Sequence, residues 1–316
     1  MTREAGPREE APRSGSAAAC AGPIDLRTWS AERLERVEQA LSDWVVADAP
    51  AGLGEVMRYA VLDGGKRLRP LLVLAAAEAV RGNGEAALRA ACAVELIHAY
   101  SLVHDDMPCM DNDSLRRGKP TVHVKYGEAQ ALLAGDALQA LAFELLAPER
   151  ESVPAPVQAA LCRLLARSAG HAGMAGGQAI DLASIGRALT EPQLREMHRR
   201  KTGALLQACV MMGAACGAPD AKAQAALADY GAALGLAFQV VDDILDVTAD
   251  SATLGKTAGK DAAQEKPTYV SVLGLERSAA FAQELLARAL AALAATGLRD
   301  TRALHALAMM LVNRDN

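Results

Sequence analysis

Apolar residues recur at helical spacing from Ser30 onward, with breaks at glycine and proline. That period of about 3.6 residues predicts helices wherever it holds. The segments carrying it are 30–48, 51–63, 69–81, 85–107, 127–147, 155–171, 190–216, 221–248, 268–294 and 301–312. Thr190-Glu191-Pro192-Gln193 reads as a capping box with proline in the first turn,. No run alternates with period two for long enough to propose a sheet, and no internal repeat is convincing. Residues 1–24 are rich in Pro, Gly, Ala, Ser and charge without periodicity, so a disordered extension is expected there,. The reading is all-α: one domain over 25–316, a single large bundle of about ten helices.

Composition supports that picture. The chain has 316 residues, 51% hydrophobic and 3% aromatic, enough for one large core,. Ala and Leu dominate, which favours helices. The net charge of -5, with basic residues in short clusters, argues against a nucleic-acid surface,. Residues 202–219 lack charge, but three glycines, Thr202, Gln207 and Pro219 make them a buried core helix and not a membrane span,. Six cysteines without CxxC spacing read as reduced thiols of a cytoplasmic protein,. No signal peptide is evident at the N-terminus.

Two acidic clusters change the picture. Asp242, Asp243 and Asp246 lie in FQVVDDILD at i, i+1 and i+4, so a helix puts two of them on one face,. Like charges at that spacing repel by a few tenths of a kcal/mol, about 0.2–0.5. Phe238, Val240, Val241, Ile244, Leu245 and Val247 leave little polar surface around them, which weighs against a solvated acidic face,. Asp105, Asp106 and Asp111 lie in HDDMPCMDNDSLRRGKP, where Asp111 is six residues past Asp105. A bend or irregular turn near Pro108 is needed to bring those two together. Oxygen-only ligands of this kind suit Mg²⁺.

Basic residues follow. Arg116, Arg117 and Lys119 come directly after the first acidic cluster. They form either a surface salt-bridge patch or, with metal on the acids, a phosphate site matched by the planar guanidinium. Gly64-Gly65-Lys66-Arg67-Leu68-Arg69-Pro70 offers a glycine turn and three cations before a helix, though it is not a P-loop. His198-Arg199-Arg200-Lys201-Thr202-Gly203 precedes the uncharged helix. Each alone is more often a solvated patch; together with two metal-type sites they describe a cavity for two polyanions. Glu95 and His98 form an ExxH pair of the di-iron bundle type, but that architecture needs two such pairs and two more glutamates,. His98 is read instead as a hydrogen-bond donor to an anionic ligand or a satisfied core residue.

GGKRLRP, HAYSLVHDDMPCMD, LRRGKPTVHVKYGE, GDALQ, GGQAIDL, HRRKTGALL, GLAFQVVDDILDV and TLGK occur in order across residues 62–256. This set closely resembles the trans-prenyl diphosphate synthases (polyprenyl synthetases), and within them the bacterial farnesyl diphosphate synthases. The resemblance implies an isoprenoid-synthase bundle around a deep central cavity, usually a homodimer. It implies condensation of isopentenyl diphosphate with an allylic diphosphate, with three Mg²⁺ per active site when substrate is bound. Carried over by position, Asp105, Asp111 and Asp242 would ligate Mg²⁺, with Asp106, Asp243 and Asp246 as further ligands or supports. Arg116, Lys201, Thr202, Gln239, Lys256 and Lys266 would hold the allylic diphosphate. Lys66, Arg69, His98 and Arg117 would hold isopentenyl diphosphate. The basic C-terminal tail of related enzymes is replaced here by Val312-Asn313-Arg314-Asp315-Asn316.

Such chemistry needs a dry cavity, because an allylic cation must meet an alkene before water. Cations stabilise the departing diphosphate more in the transition state than in the ground state. Tyr100 and Ser101 lie five and four residues before Asp105. At ~1.5 Å per residue Tyr100 is ~7–8 Å deeper than the acids, where a ring would stop elongation at a short product. The resemblance agrees, pointing to the fifteen-carbon product with ten- and twenty-carbon synthases as alternatives. A terpene cyclase would replace the second acidic motif with a mixed Asn/Ser/Glu motif, and a non-catalytic subunit would have lost ligands. Both acidic motifs are complete here.

Overall fold

A computed structural model of the chain describes residues 22, 24–62, 64–149, 152–248 and 267–313. The sequence-based proposal of a disordered extension falls almost wholly outside them, as do Lys256, Lys266 and Arg314. Helices dominate: α1 Leu26–Trp44, a 3₁₀ turn Pro50–Gly52, α2 Leu53–Val61, α3 Leu68–Ala79 and α4 Gly84–Asp105. A two-residue hairpin, β1 Leu115–Arg116 and β2 Lys119–Pro120, is followed by α5 Val122–Tyr126, α6 Glu128–Leu146 and α7 Ala155–Ala169. Then come α8 Met174–Ala183, α9 Glu191–His198, a π-helical turn Arg199–Gly203 and α10 Ala204–Ala215. The chain closes with α11 Ala221–Thr248, α12 Tyr269–Leu273, α13 Leu275–Ala295 and α14 Arg302–Val312.

Helix α4 is apolar nearly all round and is therefore central,. Asn83 caps it through the Ala86 amide at 2.8 Å, and Leu96, Ile97 and Val94 are wholly enclosed. It packs on α3 and α6, while α10 joins α3 to α11 and α11 lies along α13. The uncharged stretch forms α10, with Leu206, Cys209 and Val210 buried, as its reading as a core helix required. By length and composition α4, α6 and α13 are each apolar enough to cross a membrane, and α4's apolar window is 72% buried within the fold.

The structure corrects the sequence reading in three places. The predicted helix 190–216 changes hand-over geometry at the π turn, and 268–294 is divided at Gly274, whose φ of 81° is left-handed,. Helix α8 was not predicted, because Gly176 and Gly177 weaken its helical propensity. The structure needs both: a Cβ on Gly176 would lie 1.9 Å from the His171 carbonyl oxygen, and one on Gly177 2.1 Å from the Lys201 backbone nitrogen.

An internal repeat also emerges. Helix α4 ends in Asp105-Asp106, and after a loop Lys119-Pro120-Thr121 leads into the five-residue α5, left-handed Gly127 and long α6. Helix α11 carries Asp242-Asp243, and Lys266-Pro267-Thr268 precedes the five-residue α12, left-handed Gly274 and long α13. The two long-helix pairs, α4 with α6 and α11 with α13, are both closely packed. Intervening segments of different length in the sequence hid this repeat from a fixed-period reading,.

Candidate active site

The turn after α4 brings Asp111 back to Asp105. Proline and a left-handed Asn112 (φ 51°) break the helix, and the Asp111 amide donates to the Asp105 carbonyl at 2.8 Å. The Asp113 amide reaches the Asp106 carbonyl at 3.0 Å, closing the loop. This is the irregular turn that the six-residue spacing demanded.

Within each acidic pair the two carboxylates have different environments. Asp106 and Asp243 are each 2% exposed, whereas Asp105 and Asp242 are partly open. Asp106 accepts a forked contact from Arg116, with Nε at 2.8 Å. Asp243 accepts from Gln239 Nε2 and from the Tyr269 amide, both at 2.7 Å. Gln239 in turn accepts from the Thr202 hydroxyl at 2.8 Å. The second aspartate of each pair thus anchors its segment, and the first of each is presented toward solvent-accessible space. Asp246 is buried.

Lys201 joins the two halves. Its Nζ donates to Asp181 Oδ2 at 2.6 Å. Burial works against its charge, but Asp181, Asp105 and Asp111 outweigh that and raise its pKa. The π turn sets its direction. Glycines admit the turn: Gly177 receives it from α8, and a Cβ on Gly235 of α11 would lie 2.8 Å from Gly203 Cα. Such single-turn π segments often occur at functional sites. A small cavity opens here, lined by Asp181, His198, Lys201, Gln239, Asp243, Pro267 and Thr268.

Asp105 carries the clearest electrostatic signature. Burial pushes its carboxyl up to about 6; Lys201 opposes that, while Asp111 repels. A carboxylate held partly protonated by burial and neighbouring anions fits a place for a cation. Among the described residues, no three His, Cys, Asp or Glu side chains gather into a metal nest. Mg²⁺ needs no such nest, because it takes one or two carboxylates and fills its shell with water and phosphate oxygens.

The third basic cluster divides by role. Arg67 is a structural residue: 4% exposed, it binds Glu95 and Glu38 at 2.6 Å each and the Val61 carbonyl at 2.7 Å. Glu95 is therefore engaged, which disposes of the di-iron pairing. Arg69 is different. Its Nε is buried with no hydrogen-bond partner among the described residues, and burial lowers its pKa. Arg117 lies over the glycine turn, donating to the Gly64 carbonyl at 2.6 Å. Burial, then Arg69, Arg117, Arg116 and Arg67, hold His98 well below the usual histidine range, so its ring is neutral. Arg69 and Arg117 thus gather beside neutral His98 as a cationic group, with Glu95 and Asp242 acting on Arg69 and Glu95 on Arg117 as its nearby anions. Lys66 is exposed at its edge.

Tyr100 is buried between α4 and α6, edge-on to His104 with centroids 5.6 Å apart. Ser101 donates to the His98 carbonyl at 2.9 Å. A profile of the polyprenyl synthetases matches residues 50–303. The chain belongs to this family. A probable farnesyl diphosphate synthase of Sinorhizobium fredii is 49% identical, covering 90% of this chain and 85% of its own. A chloroplastic geranylgeranyl pyrophosphate synthase of Capsicum annuum is 46% identical, covering 93% and 80%. A geranyltransferase from Helicobacter pylori, crystallised with magnesium and isoprenyl diphosphate, superimposes with a TM-score of 0.82 at 36% identity, covering 93% of this chain and all of that one. The chain is thus a prenyltransferase of the short-chain trans type, and the all-α expectation holds.

Sequence reasoning gave no role to Asp181 or His198. Asp181 had a signal, being the only Asp, Glu, Lys or Arg between Arg167 and Arg187. His198 stacks on Tyr269 at 5.4 Å and burial drives its pKa down to about 3. Its partner Tyr269 lies in the second copy of the repeat, so its proximity was not legible along the chain.

Proposed function

We propose that the protein condenses isopentenyl diphosphate with dimethylallyl or geranyl diphosphate to give (2E,6E)-farnesyl diphosphate. The observation that carries this is the convergence of Asp105, Asp111 and Asp181 on the Lys201 ammonium, beside the chain Thr202–Gln239–Asp243. Arg116, Lys201, Thr202 and Gln239, with Lys256 and Lys266 outside the described residues, bind the allylic diphosphate. Arg69, Arg117, His98 and Lys66 bind the isopentenyl diphosphate. Asp105, Asp111 and Asp242 hold Mg²⁺, three ions when substrate is present, with Asp106, Asp243 and Asp246 supporting them. The bound ions supply neutralisation of the leaving oxygens. Lys201 stays charged against its burial and so faces the charge that develops on the departing diphosphate,. Apolar walls from α4 and α10 exclude water around the carbocation.

Tyr100 sets the product length at fifteen carbons, with Ser101 a turn below Asp105 on the same helix. The geranylgeranyl synthase relative favours the twenty-carbon alternative about equally on identity; the Tyr100 ring is what supports the fifteen-carbon reading. The protein acts in the cytoplasm as a homodimer, and 25–316 forms the catalytic domain. The test is diphosphate release and product chromatography with Mg²⁺, isopentenyl diphosphate and dimethylallyl, geranyl or farnesyl starters. A fifteen-carbon product from the wild type and longer products from Tyr100→Ala are expected. No diphosphate release would refute the activity; an unchanged Tyr100→Ala profile would remove Tyr100 as the stop.

A further inference from the structure

Tyr100 does not stand alone. His104, one turn on, packs edge-on against its ring. The His104 ring occupies the space a side chain at Gly135 of α6 would fill: a Cβ there would lie 2.0 Å from Nε2 and 2.6 Å from Cδ2. Nε2 is 3.2 Å from the Leu132 carbonyl, so the ring is keyed into α6. The Gln139 side chain, one turn after Gly135 on α6, is placed to hydrogen-bond the Tyr100 phenol, opposing the rise that burial gives its pKa. A ring confined by a neighbouring ring and by its hydroxyl has few rotamers left.

The internal repeat provides a control within the molecule. Aligning the acidic pairs and the Lys-Pro-Thr segments sets Tyr100 against Ala237, His104 against Val241 and Gly135 against Ala282. In that second copy all three are buried packing residues. The glycine appears where a histidine must enter, and the histidine appears where a tyrosine needs a wall.

Resting on the reading of Tyr100 as the stop, we propose that His104, Gly135 and Gln139 are positioning residues for product length. They hold the Tyr100 ring as a fixed floor. Gly135 admits His104 to α6, His104 blocks one side of the ring, and Gln139 tethers its hydroxyl. Without them the ring swings aside and lets a longer chain pass.

The experiment measures the ratio of longer to principal product, with turnover recorded beside it, for Gln139→Leu, Gly135→Ala, Tyr100→Phe, Tyr100→Phe/Gln139→Leu and Tyr100→Ala. Gln139→Leu and Tyr100→Phe should each raise the longer-product ratio several-fold, and the double variant should go no further than either, since both remove one tether. Gly135→Ala should raise it as well. A merely structural role would lower turnover without moving the ratio. If Tyr100→Ala lengthens the product while Gln139→Leu and Tyr100→Phe keep the wild-type ratio, the clamp is refuted and Tyr100 stands. If Tyr100→Ala changes nothing, the reading of the stop fails first. Should Gly135→Ala not fold, the Gln139 and Tyr100 variants still decide.

Discussion

Asp105 shows how one side chain trades stability for function. Its carboxyl sits at about 6 in the folded chain, against 3.8 for an unperturbed group. Between those values the folded protein keeps a proton that the unfolded chain has released. Stability therefore falls as pH rises through that window and stays lower above it. Asp105→Asn removes the penalty. Above pH 6 its melting temperature should exceed the wild type's, by the equivalent of about 1–2 kcal/mol after allowing for solvent screening. Near pH 4 the two should nearly coincide, and diphosphate release should fall by about two orders of magnitude or more at either pH. Calorimetry at both pH values checks the sign; a variant less stable at pH 7.5 would mean that Asp105 is structural. Asp106 and Asp243, by contrast, have protein donors in place and belong to the scaffold.

Elements meet at the site through missing side chains. Helix α8 touches the π turn at Gly177, and α11 touches it where Gly235 faces Gly203. Gly177→Ala would press a methyl against Lys201 backbone, which cannot yield without moving Lys201 from Asp181. A loss of about 1–3 kcal/mol in stability is expected from such overpacking. Turnover should fall by about two orders of magnitude, because small misplacements of a catalytic cation are costly. Wild-type melting and turnover in that variant would overturn this account of the π turn. The same glycines explain what was legible in the sequence. Long periodic helices such as α4, α6 and α11 were plain, as were the acidic motifs, because local spacing encodes both. Helix α8 and the π turn were not, because their reason lies in a neighbour distant along the chain, and Asp181 showed only as a lone charge whose partner Lys201 the spacing did not name. Arg67 read only as one of three cations after the glycine turn for the same reason: Glu38 and Glu95 claim it only in three dimensions.

At the scale of the molecule, α6 is half unpartnered. One side packs on α4, where Ala131, Ala134, Leu138 and Ala142 are buried. The other shows Ala129, Leu132, Leu133, Asp136, Gln139 and Ala140, with Leu132 47% and Leu133 52% exposed, next to Val124 of α5 at 52%. A stripe at helical spacing with apolar members is a place for the proposed homodimer to form. A bilayer is a poor occupant, since Asp136 sits in the stripe and the opposite face is already committed to α4. A second α6 fits, because a twofold axis pairs such a face with itself. If the proposed homodimer forms on this face, Leu132→Asp/Leu133→Asp should leave a monomer in sedimentation velocity where the wild type sediments as a dimer. Both positions are exposed, so the subunit itself should keep its helical circular dichroism. Gln139 lies on the rim of this face, so the monomer should also show a changed product ratio if the interface holds the Tyr100 tether in place. A double variant that sediments as the wild type does would show that α6 faces something other than its own copy.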